Sequence, residues 1–167
     1  QKLDGIREEI ATLNLSAIEK AVALTSLILA MDEVDNTLGH FTSYLKEWSA
    51  RSYKKMRLRI PQVFVNEKNN TVLKGDIFDS LEKVSVDFAY LDPPYGSNNE
   101  KMPPSRVRYA SYYHLWTTLC RNDKPKLFGA ALRREDTSDT IASTVFEEFR
   151  RDPEGHYLAV KAIDKLI

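Results

Sequence analysis

Apolar residues recur at helical spacing over the first third of the chain. The first set, Leu3, Ile6, Ile10 and Leu13, predicts a helix over residues 2–13. Apolar residues return to helical spacing further along, at Leu38, Phe41, Leu45 and Trp48, and predict another helix there.

A second helix is predicted to begin at Ser16. Ser16 and Glu19 have the spacing of a capping box, in which the serine accepts from the first turn and the glutamate reaches back. Residues 17–30 are apolar nearly all round, so we expect this helix to be buried on more than one side. Together these patterns predict a helical block over residues 1–65.

Beyond residue 65 the pattern changes to short apolar runs. Residues 72–78 and 86–91 are bounded like buried strands, the first ending near Asp76 and the second at Asp92. Helical spacing returns at residues 109–119, 142–151 and 157–167, while residues 126–129 are too short to assign and residues 133–139 form a polar connection.

Composition limits the classes of partner. Lys and Arg total 24 and Asp and Glu total 24, so the formal net charge is zero and any affinity for DNA must come from local patches. Cys120 is the only cysteine, which excludes an internal disulfide and fits a reducing cytoplasm. We expect Cys120 to be a small core residue on a helix. No apolar run is long enough to span a bilayer, so we expect no membrane partner.

One local patch is strongly basic. Residues 51–59 contain five cations, one tyrosine and no acid. Such a run is either a solvated surface segment or a set of phosphate contacts, and the alternation at residues 57–60 also resembles an edge strand. The candidate phosphate-contacting residues are Arg51, Tyr53, Lys54, Lys55, Arg57 and Arg59.

The second apolar run ends in Asp92-Pro93-Pro94-Tyr95. The two prolines have a fixed φ and no N–H, so the turn is stiff and its carbonyls remain free as acceptors. Tyr95 adds a flat ring beside the Asp92 carboxylate. Two acceptors and a stacking face suit a planar group that carries an exocyclic amine.

These four residues resemble the signature of S-adenosylmethionine-dependent methyltransferases that modify exocyclic amino nitrogens, in the form found in the DNA N6-adenine enzymes. The flanks extend the resemblance. Residues 72–78 are similar to the family segment whose acidic residue lies against the adenosine of the cofactor. Residues 108–115, 123–125 and Gly129 are similar to the stretch that follows the signature in bacterial modification methylases of restriction–modification systems.

The resemblance implies a mechanism and a role for each residue. Asp92 and the Pro93 carbonyl would accept the hydrogens of the adenine amine, Pro94 would stiffen the turn, and Tyr95 would stack on the base flipped out of double-stranded DNA. Asp76 would hydrogen-bond S-adenosylmethionine, with Ile77 on its adenine and Asp92 also beside it. Arg108 and Tyr109 would reach the flipped base or its phosphate.

The resemblance also implies an α/β fold, an incomplete Rossmann-like one, in which residues 66–167 would be part of the catalytic methyltransferase domain. Members of this family carry a Gly-rich turn after their first strand, but the glycines of this sequence are isolated, and both ends of the chain lie within apolar patterns. We therefore expect an internal piece, helix-rich with an incomplete sheet, that needs the rest of its own chain or a complementary chain to bind cofactor. The helical block 1–65 would then be the target-recognition region.

Two other functions are compatible with the same residues. One is methylation of an RNA base amine, and the other is a truncated remnant that binds nucleic acid or a partner without turnover. The three histidines are not in metal-ligand spacing, so we predict no metal. His114 is expected to be a hydrogen-bonded structural residue.

Overall fold

A computed structural model describes residues 1–92, 109–138, 153–156 and 158–166. Contacts divide the chain into two units, each described here by itself. The first comprises Gln1–Phe64 with Tyr109–Ala142, and the second comprises Val65–Arg108 with Ser143–Ile167. The helical block thus packs with part of the region assigned to catalysis, and a division of functions at residues 65 and 66 stays a prediction.

The described residues are helix-rich, with one small sheet. The helices are α1 (Lys2–Thr12), α2 (Ala17–Asp32), α3 (Ile77–Leu81), α4 (Tyr109–Tyr112), α5 (His114–Arg121) and α6 (Leu158–Asp164). Strands β1 (Leu127–Phe128) and β2 (Arg133–Arg134) form the sheet, and Ala50–Tyr53 and Glu135–Thr137 are 3₁₀ helices. No helix among these residues is both long and apolar enough to cross a membrane.

Helices α1 and α2 confirm the first two sequence predictions. The Glu19 N–H donates to Ser16 Oγ at 3.3 Å, and the Ser16 N–H donates to Glu19 Oε2 at 2.8 Å, which completes the capping box. Because both bonds satisfy N–H groups that a helix start leaves open, the N-terminus of α2 is defined locally.

Burial of α2 on more than one side was a wrong prediction. Its buried residues lie on one face and include Leu27, with no exposed surface, and Met31. Ile18 is 78% exposed and Leu29 is 50% exposed. The apolar residues around α2 therefore overstated its burial, because the side that carries Ile18 and Leu29 remains exposed.

The core of the first unit joins helices that are distant in sequence. Ile10 of α1, Leu27 and Met31 of α2, and Leu119 of α5 form the buried cluster. Arg7 is buried as well, and its Nε donates to the backbone oxygen of Leu119 in the last turn of α5. A cation at this end of a helix satisfies an open carbonyl and favours the helix dipole.

The predicted helix over the Leu38–Trp48 stripe does not form. The Asn36 side chain donates to Glu47 O at 3.2 Å and accepts from Ser49 N at 2.8 Å, closing the segment as a loop. Gly39 has φ +100°, outside the helical region. Local side-chain bonds of this kind compete with helical bonds, and helical spacing alone did not reveal them.

The predicted helix at residues 109–119 is present but divided into α4 and α5. His114 begins α5, and its Nε2–H donates to Phe41 O at 2.9 Å, so the expected structural role is confirmed. Burial lowers the pKa of this histidine. α5 ends at Asn122, in the left-handed region that asparagine tolerates. Cys120 is exposed, so its predicted core position is wrong.

A β-hairpin occupies the region that the sequence left as unassigned and polar. Leu127 pairs with Arg134 and Phe128 with Arg133 in antiparallel register. Arg134 is fully buried, and its guanidinium donates to both carboxylate oxygens of Asp123, at 2.6 and 2.7 Å, and to Asp136 at 2.8 Å. These bonds fix the hairpin beside the end of α5 and hold the pKa of both aspartates below its usual value.

The strands predicted at residues 72–78 and 86–91 do not form among the described residues of the second unit. Ile77 instead begins α3, and residues 84–86 and 88–92 have no assigned secondary structure. Phe88 is 82% exposed and Tyr90 is 81% exposed. A strand needs a neighbouring strand for its backbone groups, and no such neighbour lies within the described part of the chain. The edge strand suggested at residues 57–60 is likewise absent there.

The last predicted helix is confirmed by α6, and the one at residues 142–151 lies outside the described residues. The predicted α/β class is therefore met only in part, by a helix-rich chain with a small sheet.

The hydrogen bonds that join Arg134 to Asp123 and Asp136, called here the Arg134 network, predict that substitution of Arg134 strongly destabilises the protein. We expect Arg134→Lys to lower the free energy of unfolding by roughly 2–3 kcal/mol, less than for fully buried pairs because both aspartates are partly exposed. Urea denaturation followed by circular dichroism measures this change. Arg121→Lys is the control: its ion pair with Asp136 is 3.6 Å long and half-exposed. That variant should cost less than about 1 kcal/mol, and equal losses would contradict the proposed importance of Arg134.

Candidate functional site

The five cations of the basic segment line one cavity of about 710 Å³ at the C-terminal end of α2. The remaining two lining residues are Asp32 and Glu33. We call this cavity the basic pocket. The segment reaches it through the 3₁₀ helix Ala50–Tyr53 and then runs extended past α2, where Ser26 Oγ donates to Arg59 O at 2.6 Å.

Arg51 is engaged within the fold. Its Nη2 lies 2.5 Å from Asp35 Oδ1, and its Nε and Nη2 donate to the backbone oxygens of Asp35 and Thr37 at 3.1 and 3.0 Å. The Asp35 side chain is only 10% exposed. Arg51 therefore neutralises a buried carboxylate and fastens the loop that follows α2, which leaves less of its charge for a ligand.

The other cations of the basic pocket are more accessible. Arg59 makes only a loose ion pair, 3.8 Å from Glu33, and its side chain is 71% exposed. Lys54, Lys55 and Arg57 are exposed and form no ion pair or hydrogen bond through their side chains with the described residues. These three side chains present positive charge directly to solvent.

Tyr53 ends the 3₁₀ helix and is 75% exposed, but it is not among the residues that line the basic pocket. Its ring stands on the same segment as Lys54 and Lys55.

Asp32 anchors α5 beside the pocket. Trp116 Nε1 donates to Asp32 Oδ1 at 3.2 Å. Burial raises the pKa of Asp32, and the opposing effect of the Trp116 hydrogen bond is smaller. The acid thus costs desolvation energy while it positions the end of α2 against α5.

A second cavity, of about 450 Å³, adjoins the first. We call it the mixed pocket, since apolar residues (Leu29, Ala30, Ile60 and Pro61) line it together with polar ones that include Gln62. Asp32, Glu33, Arg57 and Arg59 line both cavities. Charged and apolar walls are therefore continuous along the C-terminal half of α2.

The proposed cofactor residues lie in the second unit. Asp76 caps α3, with Oδ1 accepting from the Phe78 N–H at 2.9 Å, and its carboxylate is exposed. Ile77 follows it and is 47% exposed. A free carboxylate oxygen beside an accessible aliphatic side chain fits the ribose hydroxyls and flat adenine of S-adenosylmethionine.

Asp92 is exposed at the end of a segment that has no assigned secondary structure. Its predicted companions Pro93, Pro94 and Tyr95 lie outside the described residues, as does Arg108. Tyr109 begins α4, and only its backbone is described. The structure thus gathers the predicted basic residues into one pocket, whereas the predicted catalytic group stays a sequence-based prediction.

No group of three or more His, Cys, Asp or Glu side chains within the described ranges is arranged to hold a metal ion.

Sequence reasoning missed Glu33 and the Arg134 network. Asp32 and Glu33 lie at the C-terminal end of a mostly apolar helix, where the dipole disfavours acids, and this was a signal available from the sequence. Arg134 gave no such signal, because its aspartate partners come together only when the hairpin forms.

Comparison with known proteins gives one family for most of the chain. Residues 1–148 match the family of D12 class N6 adenine-specific DNA methyltransferases. No solved structure matches the chain.

Several curated relatives are similar over long stretches. The modification methylase StsI of Streptococcus sanguinis is 34% identical over 77% of the chain and 19% of its own length. The modification methylase LlaI of Lactococcus lactis subsp. lactis is 31% identical over 89% of the chain and 24% of its own length. The type II methyltransferase M.FokI of Planomicrobium okeanokoites is 32% identical over 69% of the chain and 16% of its own length. The chain therefore spans a quarter or less of these relatives.

Removal of the paired Arg51 and removal of an accessible cation of the basic pocket should change the free energy of unfolding by different amounts. We expect Arg51→Ala to lower the free energy of unfolding by roughly 2–3 kcal/mol, because it leaves the buried Asp35 carboxylate without its counter-charge. Lys55→Ala, at an exposed and unpaired position, should change it by less than about 0.5 kcal/mol. Urea denaturation of both variants checks this, and similar values for both would contradict the structural role of Arg51.

Proposed function

Because the chain belongs to the D12 class of N6 adenine-specific DNA methyltransferases, we propose that the protein methylates adenine N6 at specific sites in double-stranded DNA. The match over residues 1–148, which includes Asp92-Pro93-Pro94-Tyr95, is the observation that carries this proposal. The names of the relatives, modification methylases, favour a role in restriction–modification. We place the protein in the cytoplasm, where bacterial DNA lies.

In the proposed reaction, S-adenosylmethionine would supply the methyl group: its S–CH3 bond would break as the bond to adenine N6 forms, S-adenosylhomocysteine would leave, and the amine would lose one proton to solvent. The adenine N6 lone pair is delocalised into the ring, which makes the amine a weak nucleophile. Asp92 and the Pro93 carbonyl accept the amine hydrogens, which disfavours the delocalisation and aims the lone pair at the methyl group. Tyr95 stacks on the flipped base, with Pro94 holding the turn rigid. Rate acceleration then comes from positioning and electrostatics.

The cofactor is proposed to lie against Asp76 and Ile77, with Asp92 beside it. The exposure of the Asp76 carboxylate and of the Ile77 side chain supports this assignment. Arg108 and Tyr109 are assigned, by resemblance, to the flipped base or its phosphate.

The fold is proposed to be the Rossmann-like methyltransferase fold, completed by the rest of the chain or by a complementary chain. Exposed apolar side chains on segments that are neither helix nor strand support this proposal. Val65 is 96% exposed and Val72 is 94% exposed. Unpaired apolar segments of this kind are stable only when another strand covers them.

The DNA backbone is proposed to bind at the basic pocket. Lys54, Lys55 and Arg57 carry the accessible charge, Arg59 adds a loosely paired one, and Tyr53 can stack or hydrogen-bond beside them. Arg51 acts mainly by holding the segment, so its contribution to phosphate binding is indirect.

Asp92→Ala tests catalysis. Methyl transfer from labelled S-adenosylmethionine to duplex DNA should fall roughly 100-fold or more, because an acceptor of the amine is lost, while DNA binding stays. Asp87→Ala, in the same exposed segment, is the matched control and should keep its activity. Nucleoside analysis identifies the product. Normal turnover by Asp92→Ala, or N6-methyladenine from RNA but never from DNA, would refute the proposal.

Salt dependence tests the phosphate contacts. The double variant Lys54→Gln, Lys55→Gln should weaken binding to all duplexes alike and reduce the slope of log K against log salt by about 2, near 0.9 for each lost contact. Fluorescence anisotropy at several salt concentrations measures the slope. The double variant Lys20→Gln, Lys46→Gln removes the same charge outside the pocket, and an equal change there would argue against a specific role for the basic pocket.

A further inference from the structure

Glu33 places a negative charge in the middle of the proposed DNA surface. It is one of four residues that line both the basic pocket and the mixed pocket. A carboxylate beside bound phosphates weakens binding, so its presence there needs a reason other than affinity.

Stability does not supply that reason. Glu33 is the C-cap of α2, directly after Asp32, and the last turn of α2 contains no basic residue to offset it. A negative charge at this end of a helix is opposed by the dipole, and Asp32 beside it adds repulsion. Residues that oppose local stability in this way are expected at functional sites.

The Glu33 carboxylate is also less engaged than its acidic neighbours. Asp32 accepts from Trp116 at 3.2 Å, and Asp35 is paired with Arg51 at 2.5 Å. Among the described residues, the Glu33 carboxylate has only the 3.8 Å contact with Arg59, and its side chain is 50% exposed. That distance is too long for a hydrogen bond, so the acceptor capacity of Glu33 is available to a ligand.

We infer that Glu33 is a specificity-determining residue that accepts a hydrogen bond from the N4 amine of a cytosine in the major groove of the target DNA. The inference rests on the proposed function and adds a base contact to it. A carboxylate only accepts, and cytosine presents a donor in the major groove. Guanine presents two acceptors and thymine one, so a carboxylate is repelled at either base. Adenine places an acceptor beside its donor, which suits an amide better than a carboxylate.

The surroundings of Glu33 fit a base edge flanked by backbone. Lys54, Lys55 and Arg57 line the basic pocket and offer phosphate contacts, and Leu29, Ile60 and Pro61 give the adjoining mixed pocket an apolar wall. Phosphate contacts position a protein on DNA, whereas contacts to base edges specify the sequence. Repulsion of the wrong bases by Glu33 contributes specificity at the expense of affinity.

The test is selection from randomised duplex DNA with the whole protein, followed by sequencing of the bound duplexes. The wild type should enrich a motif that contains a required C·G pair. Glu33→Gln keeps the side-chain size and removes the charge. It should lose preference at that one pair by roughly tenfold, keep the other positions, and bind unrelated duplexes more tightly. Glu9→Gln makes the same charge change at an exposed position of α1 and should enrich the wild-type motif.

The outcomes separate this inference from the proposed function. If the wild type enriches a motif that Glu33→Gln reproduces unchanged, or if the lost preference is not for cytosine, the role of Glu33 is overturned and site-specific binding stands. If the wild type enriches no sequence, both the inference and the proposed site-specific function are overturned.

Discussion

The packing of α5 against the buried face of α2 is the constraint on which the rest of the first unit depends. Trp116 and Asp32 bond across a separation of 84 residues, and Leu119 meets Leu27 in the core. Contacts this distant in sequence must offset the entropy of closing a long loop. Arg7 strengthens the junction by satisfying a carbonyl at the end of α5.

Because this junction holds the C-terminal end of α2, it also determines what surrounds the proposed DNA surface. Asp32 accepts from Trp116, Asp35 is paired with Arg51, and Glu33, which lines the cavities together with Asp32, has the least engaged carboxylate of the three. Three acids within four residues thus acquire three different environments. Their difference arises from packing, since at the level of sequence they form one acidic cluster.

The cations show the same division of roles. Arg51 is tied to backbone oxygens and a buried carboxylate, whereas Lys54 and Lys55 stand free of the described residues. Arginine suits the first role because its planar group makes several bonds at once. A charge run that is uniform in sequence is therefore part structural and part accessible, and only the accessible part can serve a ligand.

The sequence by itself determined helices α1, α2 and α6 and the family. The capping box at Ser16 and the stripes of α1 and α6 depend on hydrogen bonds within a few residues, so local pattern was sufficient. The signature at residues 92–95 likewise identified the family without any coordinates, as the match over residues 1–148 confirmed.

Tertiary structure decided what depends on distant partners. Asn36 turned a helical stripe into a loop, and Asp123 with Asp136 buried Arg134. The apolar runs near Val72 and Phe88 remained outside any described sheet, because a strand is stable only when another strand pairs with it.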